Sequence, residues 1–375
     1  MIKEIPLSKV YVDDEIKNAA LKALDNQWYI LGEESKKLEM EFAEFIGTKY
    51  AILTSSGTSA ITLSLMALGV KEGDEIIVPS LTAFPTVEPI FHCRAKPVFI
   101  DIDDTYTIDP SKIEERINSR TVGIIPVQLY GYPANMEEIL KIANRHGLFV
   151  LEDCCQAHNA RFKEKKVGSF GIAGCFSFYP SKNMTVCGDG GMVTTDNKEI
   201  ADKIKKLRDH GRRDKYTHEM IGYNERFNEI QASIGRIQLK KLQWFTGRRR
   251  EIAERYRKEL KGLPLVIPQE DDRAYHVYHL FVIRLRPPPS PPSEGGDKGE
   301  VNRDQLMNYL KQNGIATGIH YPIPCHLQPA IKEQFSNSRL PITEEYCNKI
   351  LSLPIYPLLS NTEVDYICEK IRLFF

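Results

Sequence analysis

Two hydrophobic periods alternate along the first two thirds of the chain. Apolar runs of strand length occur at Glu75–Val78, Pro97–Ile100, Val122–Val127, Leu148–Leu151 and Gly174–Phe178, with helical spacing between several of them. Short continuous apolar runs suit strands buried on both faces, and their alternation with helices implies a mainly parallel sheet covered by helices. Ahead of these, Asp13 or Asp14 can cap a helix with Ile16, Ala20 and Leu24 on one face. From about Asn228 to Leu260 a long helical pattern leads into a different region. There His279–Arg284 reads as a strand and Arg303–Asn313 as a helix, which fits a smaller α+β lobe. A chain of 375 residues is too long for one small core, and the expected division is 1–250 and 251–375. Between the strand and the helix of the second lobe, Pro287 to Pro292 and then Gly295–Gly296 form a proline-rich, glycine-rich loop. A tolerated surface insertion accounts for it better than proline recognition by a partner.

Charge narrows the class. Lys and Arg together number 50, as do Asp and Glu, so the formal charge is zero. Nothing in that balance pulls the protein toward nucleic acid or an anionic membrane. Arg248–Arg250 continue a helical pattern and read as a solvated helix face. Eight cysteines without a CxxC pair point to reduced thiols and a cytoplasmic setting. Adjacent Cys154 and Cys155 would point oppositely on a strand end, so small buried fillers suit them better than a metal site. No signal segment or long apolar span is read from the sequence.

Three local patterns carry chemistry. Lys182 lies in Phe176-Ser177-Phe178-Tyr179-Pro180-Ser181-Lys182-Asn183, just before Gly188-Asp189-Gly190-Gly191. These are poor surroundings for a solvated ammonium; desolvation favours the neutral amine, which can attack an aldehyde and hold it as a Schiff base. Asp153 stands at the C-terminal end of the strand near Leu148–Leu151, where open parallel sheets place ligand chemistry. It can pair with a protonated pyridine nitrogen, or simply cap the next helix. Gln156 and His158 follow closely; His158 can serve a ligand or be a satisfied core histidine. At Ser55-Ser56-Gly57-Thr58-Ser59 an apolar strand from Tyr50 turns into a helix with Ile61, Leu65 and Leu68 apolar. Free N–H groups and hydroxyls at such a start make a phosphate cradle. The glycines after Lys182 lack dinucleotide-binding spacing and support a turn before the strand Met192–Thr194.

With these motifs in this order, the chain resembles the DegT-type nucleotide-sugar aminotransferases of the fold-type I pyridoxal phosphate superfamily, almost end to end. Matching segments include Ser56–Ala60, Glu152-Asp153 with Gln156-Ala157-His158, Ser177–Asn183, Gly188–Gly191, Gly222–Arg226, Gln231-Ala232 and His320-Tyr321-Pro322. The resemblance implies an aspartate-aminotransferase-like α/β fold with a mainly parallel sheet in the large domain and a smaller α+β C-terminal domain. It also implies pyridoxal 5'-phosphate as cofactor and a homodimer with composite active sites. By the same resemblance Lys182 carries the cofactor and acts as base, Asp153 pairs with the pyridinium, and Gln156 approaches the phenolic oxygen. Ser56, Gly57, Thr58 and Ser177 would serve the phosphate, reached from the neighbouring subunit by Asn224. The family often has an aromatic right after the threonine equivalent to Thr82. Here Ala83 stands there, and Phe84 is expected to stack on the ring instead. Lys215, Tyr216 and His218, with His320, Tyr321 and His326, resemble the sugar contacts of the subgroup acting at C-3. The implied substrates are L-glutamate or L-glutamine and a dTDP- or UDP-linked 3-keto sugar, with C-4 amination as the competitor. A same-fold sugar dehydratase would carry His in place of Lys182, and a non-catalytic homologue would lose the lysine, the aspartate or the cradle; all three are present.

Overall fold

The computed structural model describes residues 4–286 and 302–375; the proline-rich loop expected at 287–292 lies outside them. Seven strands form the large sheet, in the order Tyr50–Thr54, Gly191–Thr195, Ala173–Ser177, Phe149–Asp153, Thr121–Ile124, Glu75–Pro79 and Lys96–Ile100. Only Gly191–Thr195 runs against the others, pairing antiparallel with both of its neighbours. The remaining neighbours pair in parallel. The parallel strands thus end on one edge, where Asp153 and Ser177 stand as last residues of their strands.

Helices cover both faces of the sheet. Helices α3 (Gly57–Ala67) and α4 (Phe84–His92) close one apolar cluster with Ile52, Ile76, Val78, Leu151 and Val193. Helices α5 (Met136–His146), α2 (Glu33–Ile46) and α7 (Glu229–Glu259) close others. Asp13 caps α1 (Asp14–Asp25), its carboxylate accepting from the Ile16 N–H at 3.0 Å. The buried face of α1 differs from expectation: Ile16 and Ala23 are buried, while Leu24 is 45% exposed, because α1 packs against α7 rather than into the sheet. Glu229 makes another cap across the fold. From the first turn of α7 it accepts N–H bonds of Gly32 at 2.8 Å, Glu34 at 2.7 Å and Ser35 at 3.0 Å, closing the start of α2.

Helix α7 runs unbroken through position 250. Its early residues Ala232, Leu239 and Leu242 join the large core, while Ile252, Ala253 and Tyr256 join a second one. That second core contains the antiparallel strands Leu265–Val266, Phe281–Leu285 and Ile350–Leu353, with α8 (Arg303–Gln312) and α10 (Asn361–Phe374) against them. Ile5 belongs to it as well, its N–H bonding the Gly314 carbonyl at 2.8 Å. Apolar packing joins the two parts, with Leu280, Val282 and Tyr346 against Leu81, Val127 and Tyr130, and polar contacts add to it. Asp101 accepts from the N–H groups of Ile342 (3.0 Å) and Thr343 (2.7 Å) at the start of α9 (Pro341–Lys349). Ser80, beside the loop that leads into α4, meets His326 of the second lobe at 2.7 Å.

Candidate active site

The strand ends, the start of α3 and the loop carrying Lys182 enclose a cavity of about 330 Å³. Ser56, Gly57 and Thr58 line one wall, Asp153, Cys155 and Gln156 another, with Ser177 and Lys182 beside them. The Ser56 hydroxyl caps α3, accepting from the Ser59 N–H at 3.0 Å. The next N–H groups, of Gly57 and Thr58, have no intrahelical acceptor by position and carry the positive end of the helix dipole. Glycine at 57 follows from a close approach: a Cβ there would lie 2.7 Å from Ser177 Cβ and 2.8 Å from Cys155 Sγ. Gly191 is needed similarly, its would-be Cβ falling 2.2 Å from the Ser56 carbonyl oxygen.

Lys182 keeps part of its surface on the cavity, and the protein packed around it pushes its pKa down by desolvation. Cys155 and Asp153 oppose that shift without cancelling it. Asp153 is buried, 4% exposed, and held at both oxygens. Oδ1 accepts from the Cys155 N–H at 3.0 Å and Oδ2 from the Thr86 hydroxyl at 2.7 Å, which in turn meets Thr82 Oγ1 at 2.8 Å. Gln156 is fixed as well: Oε1 accepts the Tyr130 N–H at 2.8 Å and Nε2 donates to the Tyr321 oxygen at 3.0 Å.

The fold thus gathers Ser56, Gly57, Thr58, Asp153, Gln156, Ser177 and Lys182 around one space. Other expected residues lie elsewhere. Phe84 opens α4 and packs against the apolar cluster beneath it, leaving Ala83 and Pro85 on the cavity wall. The helix start turns position 84 inward, so the expected stacking of Phe84 on a ring in the cavity is corrected. His158 is fully buried among Phe176 and Phe178, and neither ring nitrogen has a hydrogen-bond partner among the described residues. Burial first, then the nearby Lys182 charge, pull its pKa down to about 3, so it is neutral. His326 is likewise no open sugar contact. It is fully buried, Nδ1 meeting Ser80 Oγ at 2.7 Å and Nε2 meeting Glu344 at 3.3 Å, and it ties the two lobes.

His320 is partly exposed, with Nδ1 on Ser352 Oγ at 2.9 Å; burial, then Lys182, lower its pKa. Asn224 and the 215–218 loop do not line the cavity of their own chain's Lys182. Asn224 is exposed, and Tyr216 is 81% exposed with the Lys215 ammonium 5.2 Å from its ring centre. His218 Nδ1 lies 2.8 Å from the His210 carbonyl.

Sequence reading missed Thr82, Thr86, Cys155, Tyr130 and Val127. Thr82 and Thr86 had a usable signal: an i, i+4 hydroxyl pair across a helix start marked by Pro85 faces one way. Cys154 is buried as expected, but Cys155 lines the cavity. Among the described residues no cluster of His, Cys, Asp or Glu could hold a metal, and no helix is long and apolar enough to cross a membrane.

Residues 10–372 match the DegT/DnrJ/EryC1/StrS aminotransferase family. The chain is 40% identical to a UDP-N-acetyl-3-dehydro-alpha-D-glucosamine 3-aminotransferase of Acidithiobacillus ferrooxidans, over 96% of this chain and 93% of that one. It is 41% identical to a dTDP-3-amino-3,6-dideoxy-alpha-D-galactopyranose transaminase of Aneurinibacillus thermoaerophilus, over 96% and 94%. Among solved structures, DesV of S. venezuelae in complex with a ketimine intermediate superposes with a TM-score of 0.93 at 36% identity, covering 100% of this chain and 99% of that one. NtdA of Bacillus subtilis with bound cofactor PMP gives a TM-score of 0.90 at 32% identity, over 100% and 85%.

The residues present fit such a cofactor. A cradle closed so tightly that Gly57 has no room for a Cβ presents N–H donors to a phosphate, and a partly exposed amine of lowered pKa faces the same space as a buried carboxylate. The chain belongs to the DegT/DnrJ/EryC1/StrS family and is an aminotransferase that works with pyridoxal phosphate.

Proposed function

We propose that this aminotransferase moves an amino group from L-glutamate or L-glutamine to C-3 of a nucleotide-linked keto sugar. A dTDP-linked 3-keto-6-deoxyhexose is the first choice of acceptor and a UDP-linked 3-keto sugar the second. The observation that carries the chemistry is the placing of Lys182 and Asp153 on one cavity at the start of α3. The choice of C-3 is supported by the names of the relatives, a 3-aminotransferase and a 3-amino-sugar transaminase.

Bound in this cavity, pyridoxal phosphate supplies an aldehyde that condenses with amines and a protonated ring that withdraws electrons from the reacting carbon. Lys182 Nζ, whose pKa burial lowers, would anchor that aldehyde. Once displaced, it takes a proton from the donor's α-carbon in the first half and delivers one to C-3 of the sugar in the second. Asp153, oriented by the Cys155 N–H and the Thr86 hydroxyl, holds the ring nitrogen's proton. Gly57 and Thr58 hold the phosphate through N–H groups and Ser177 through its hydroxyl. Gln156 donates to the phenolic oxygen. His320, partly exposed, would meet the sugar's hydroxyls.

The working unit is a homodimer with shared sites. Residues 28–31 lie beside the 221–228 segment, Leu31 N–H bonding the Phe227 carbonyl at 3.1 Å. Together they expose Trp28 (66%), Tyr29 (47%), Ile221 (89%) and Tyr223 (39%), an apolar surface suited to burial against a second copy. In that arrangement Asn224 of the partner subunit reaches the phosphate, and the exposed Lys215, Tyr216 and His218 serve the partner's sugar.

Matched 3-keto and 4-keto nucleotide sugars, offered with glutamate or glutamine, test the reading. NMR of the product should place the new C–N bond at C-3. Efficient turnover of the 4-keto sugar alone would overturn the choice of carbon.

A further inference from the structure

The segment at His320 and Tyr321 is braced against the large lobe at two points. The Tyr130 hydroxyl donates to the His320 carbonyl, and Gln156 Nε2 donates to the Tyr321 oxygen at 3.0 Å. The orientation of the Gln156 amide is set by its other partner. A backbone N–H can only donate, so the end of the amide 2.8 Å from the Tyr130 N–H is the oxygen, and the end facing Tyr321 is the nitrogen. That nitrogen carries two hydrogens. Tyr321 takes one; the second has no acceptor among the described residues, and Gln156 lines the cavity shared by Lys182 and Asp153.

We propose that Tyr321 is a positioning residue whose hydroxyl, by accepting one N–H of Gln156, aims the other at the phenolic oxygen of the cofactor. This rests on the placement of Gln156 beside that oxygen in the proposed function. Tyr321 thereby acts on the electronics of the cofactor through Gln156 rather than as a reader of the sugar. Its side chain is suited to this role, because burial raises the phenol pKa and the oxygen stays a protonated acceptor throughout the working range. Without it the amide is anchored only at Oε1, and its nitrogen is free to swing toward water.

The consequence is spectroscopic. A donor on the phenolic oxygen favours the anionic form and competes with the proton that this oxygen shares with the Lys182 nitrogen. Losing the donor therefore raises the pH at which the visible band of the Lys182-bound cofactor changes. A hydrogen bond of ordinary net strength corresponds to a shift on the order of half a pH unit. The test is a pH titration of that band in cofactor-loaded wild type, Tyr321→Phe, Gln156→Ala and the double variant. Both single variants should shift the midpoint upward, Gln156→Ala by more, and the double variant should match Gln156→Ala alone.

A Gln156→Ala shift with none in Tyr321→Phe overturns the proposal while leaving the placement of Gln156 intact. Additive shifts in the double variant overturn it too, because Tyr321 would then act independently of Gln156. No shift in Gln156→Ala removes the placement of Gln156 itself and the proposal with it. Tyr321→Phe keeps the ring and removes only the oxygen, so a general packing defect would lower the melting temperature without this pattern of shifts.

Discussion

Replacing Gly57 by alanine adds one methyl group where the start of α3 meets the ends of two strands. That carbon would sit 2.7 Å from Ser177 Cβ and 2.8 Å from Cys155 Sγ, against ordinary contact distances of about 3.5–4 Å for carbon pairs. The Ser177 carbon cannot move aside alone, because it is attached directly to the backbone of a strand buried along its whole length. The helix start must retreat from the strand ends instead. Overpacking of this kind costs about 1–3 kcal/mol. Without cofactor the retreat relieves much of that strain; with cofactor the Gly57 and Thr58 N–H groups must return to the phosphate. The strain therefore falls on binding, and the expected loss of cofactor affinity is roughly 5- to 150-fold. Titrating pyridoxal phosphate into cofactor-free protein and following the visible band measures it directly. Adding Cys155→Ala removes the 2.8 Å clash while leaving the Ser177 hydroxyl and the Cys155 N–H in place, and if strain is the cause, the double variant should bind more tightly than Gly57→Ala. Wild-type affinity in Gly57→Ala would refute the reasoning, since no cradle that tolerates the methyl group is as tight as described.

Lys182→Ala should lose the visible band and transamination together; turnover in a fully loaded variant would remove Lys182 as the base. Asp153→Ala should still bind cofactor but lose most of the rate, which steady-state kinetics on the loaded protein will show. Mixed dimers of Asn224→Ala and Lys182→Ala subunits should regain activity, because one of their two sites is assembled from undamaged parts; verified heterodimers that stay inactive would place Asn224 in its own subunit's site. Acid should destabilise the fold through His158 and His276, both pulled down to about 3 mainly by burial. Below the unfolded value near 6.5 the unfolded chain binds protons that the folded chain refuses, so stability falls as pH falls, by about 2 kcal/mol per histidine near pH 5. Urea midpoints at about pH 7.5 and about pH 5 check this, and His158→Phe should shrink the difference between them.

What could be read from the sequence was whatever is written locally. Lys182, Asp153 and Gly57 each sit in a short segment whose composition states the environment: an apolar strand end, a small-residue turn, a lysine without neighbouring charge. The parallel sheet was legible because strands buried on both faces leave continuous apolar runs, as at Ile76–Val78. Features that depend on two distant segments were not. Thr86 matters because it meets Asp153, 67 residues away, and Gln156 is oriented by Tyr130 and by Tyr321, which is 165 residues distant. His326 was misread for the same reason: its partners Ser80 and Glu344 lie on different elements, and a histidine in a polar, proline-flanked segment gives no local sign of burial. Phe84 turned on a single residue of phase at a helix start, finer than apolar periodicity resolves.

The contacts of Tyr321 with Gln156 and of His326 with Ser80 join the second lobe to the two loops that face the cofactor. Binding equilibria linked through one set of contacts must be reciprocal. If seating the cofactor steadies the second lobe on the first, then whatever steadies that lobe, a sugar at its surface included, tightens the hold on the cofactor by the same factor. An enzyme that must release and regain its covalent link to the cofactor in every cycle could thereby hold it most firmly while substrate is present, when that link is broken.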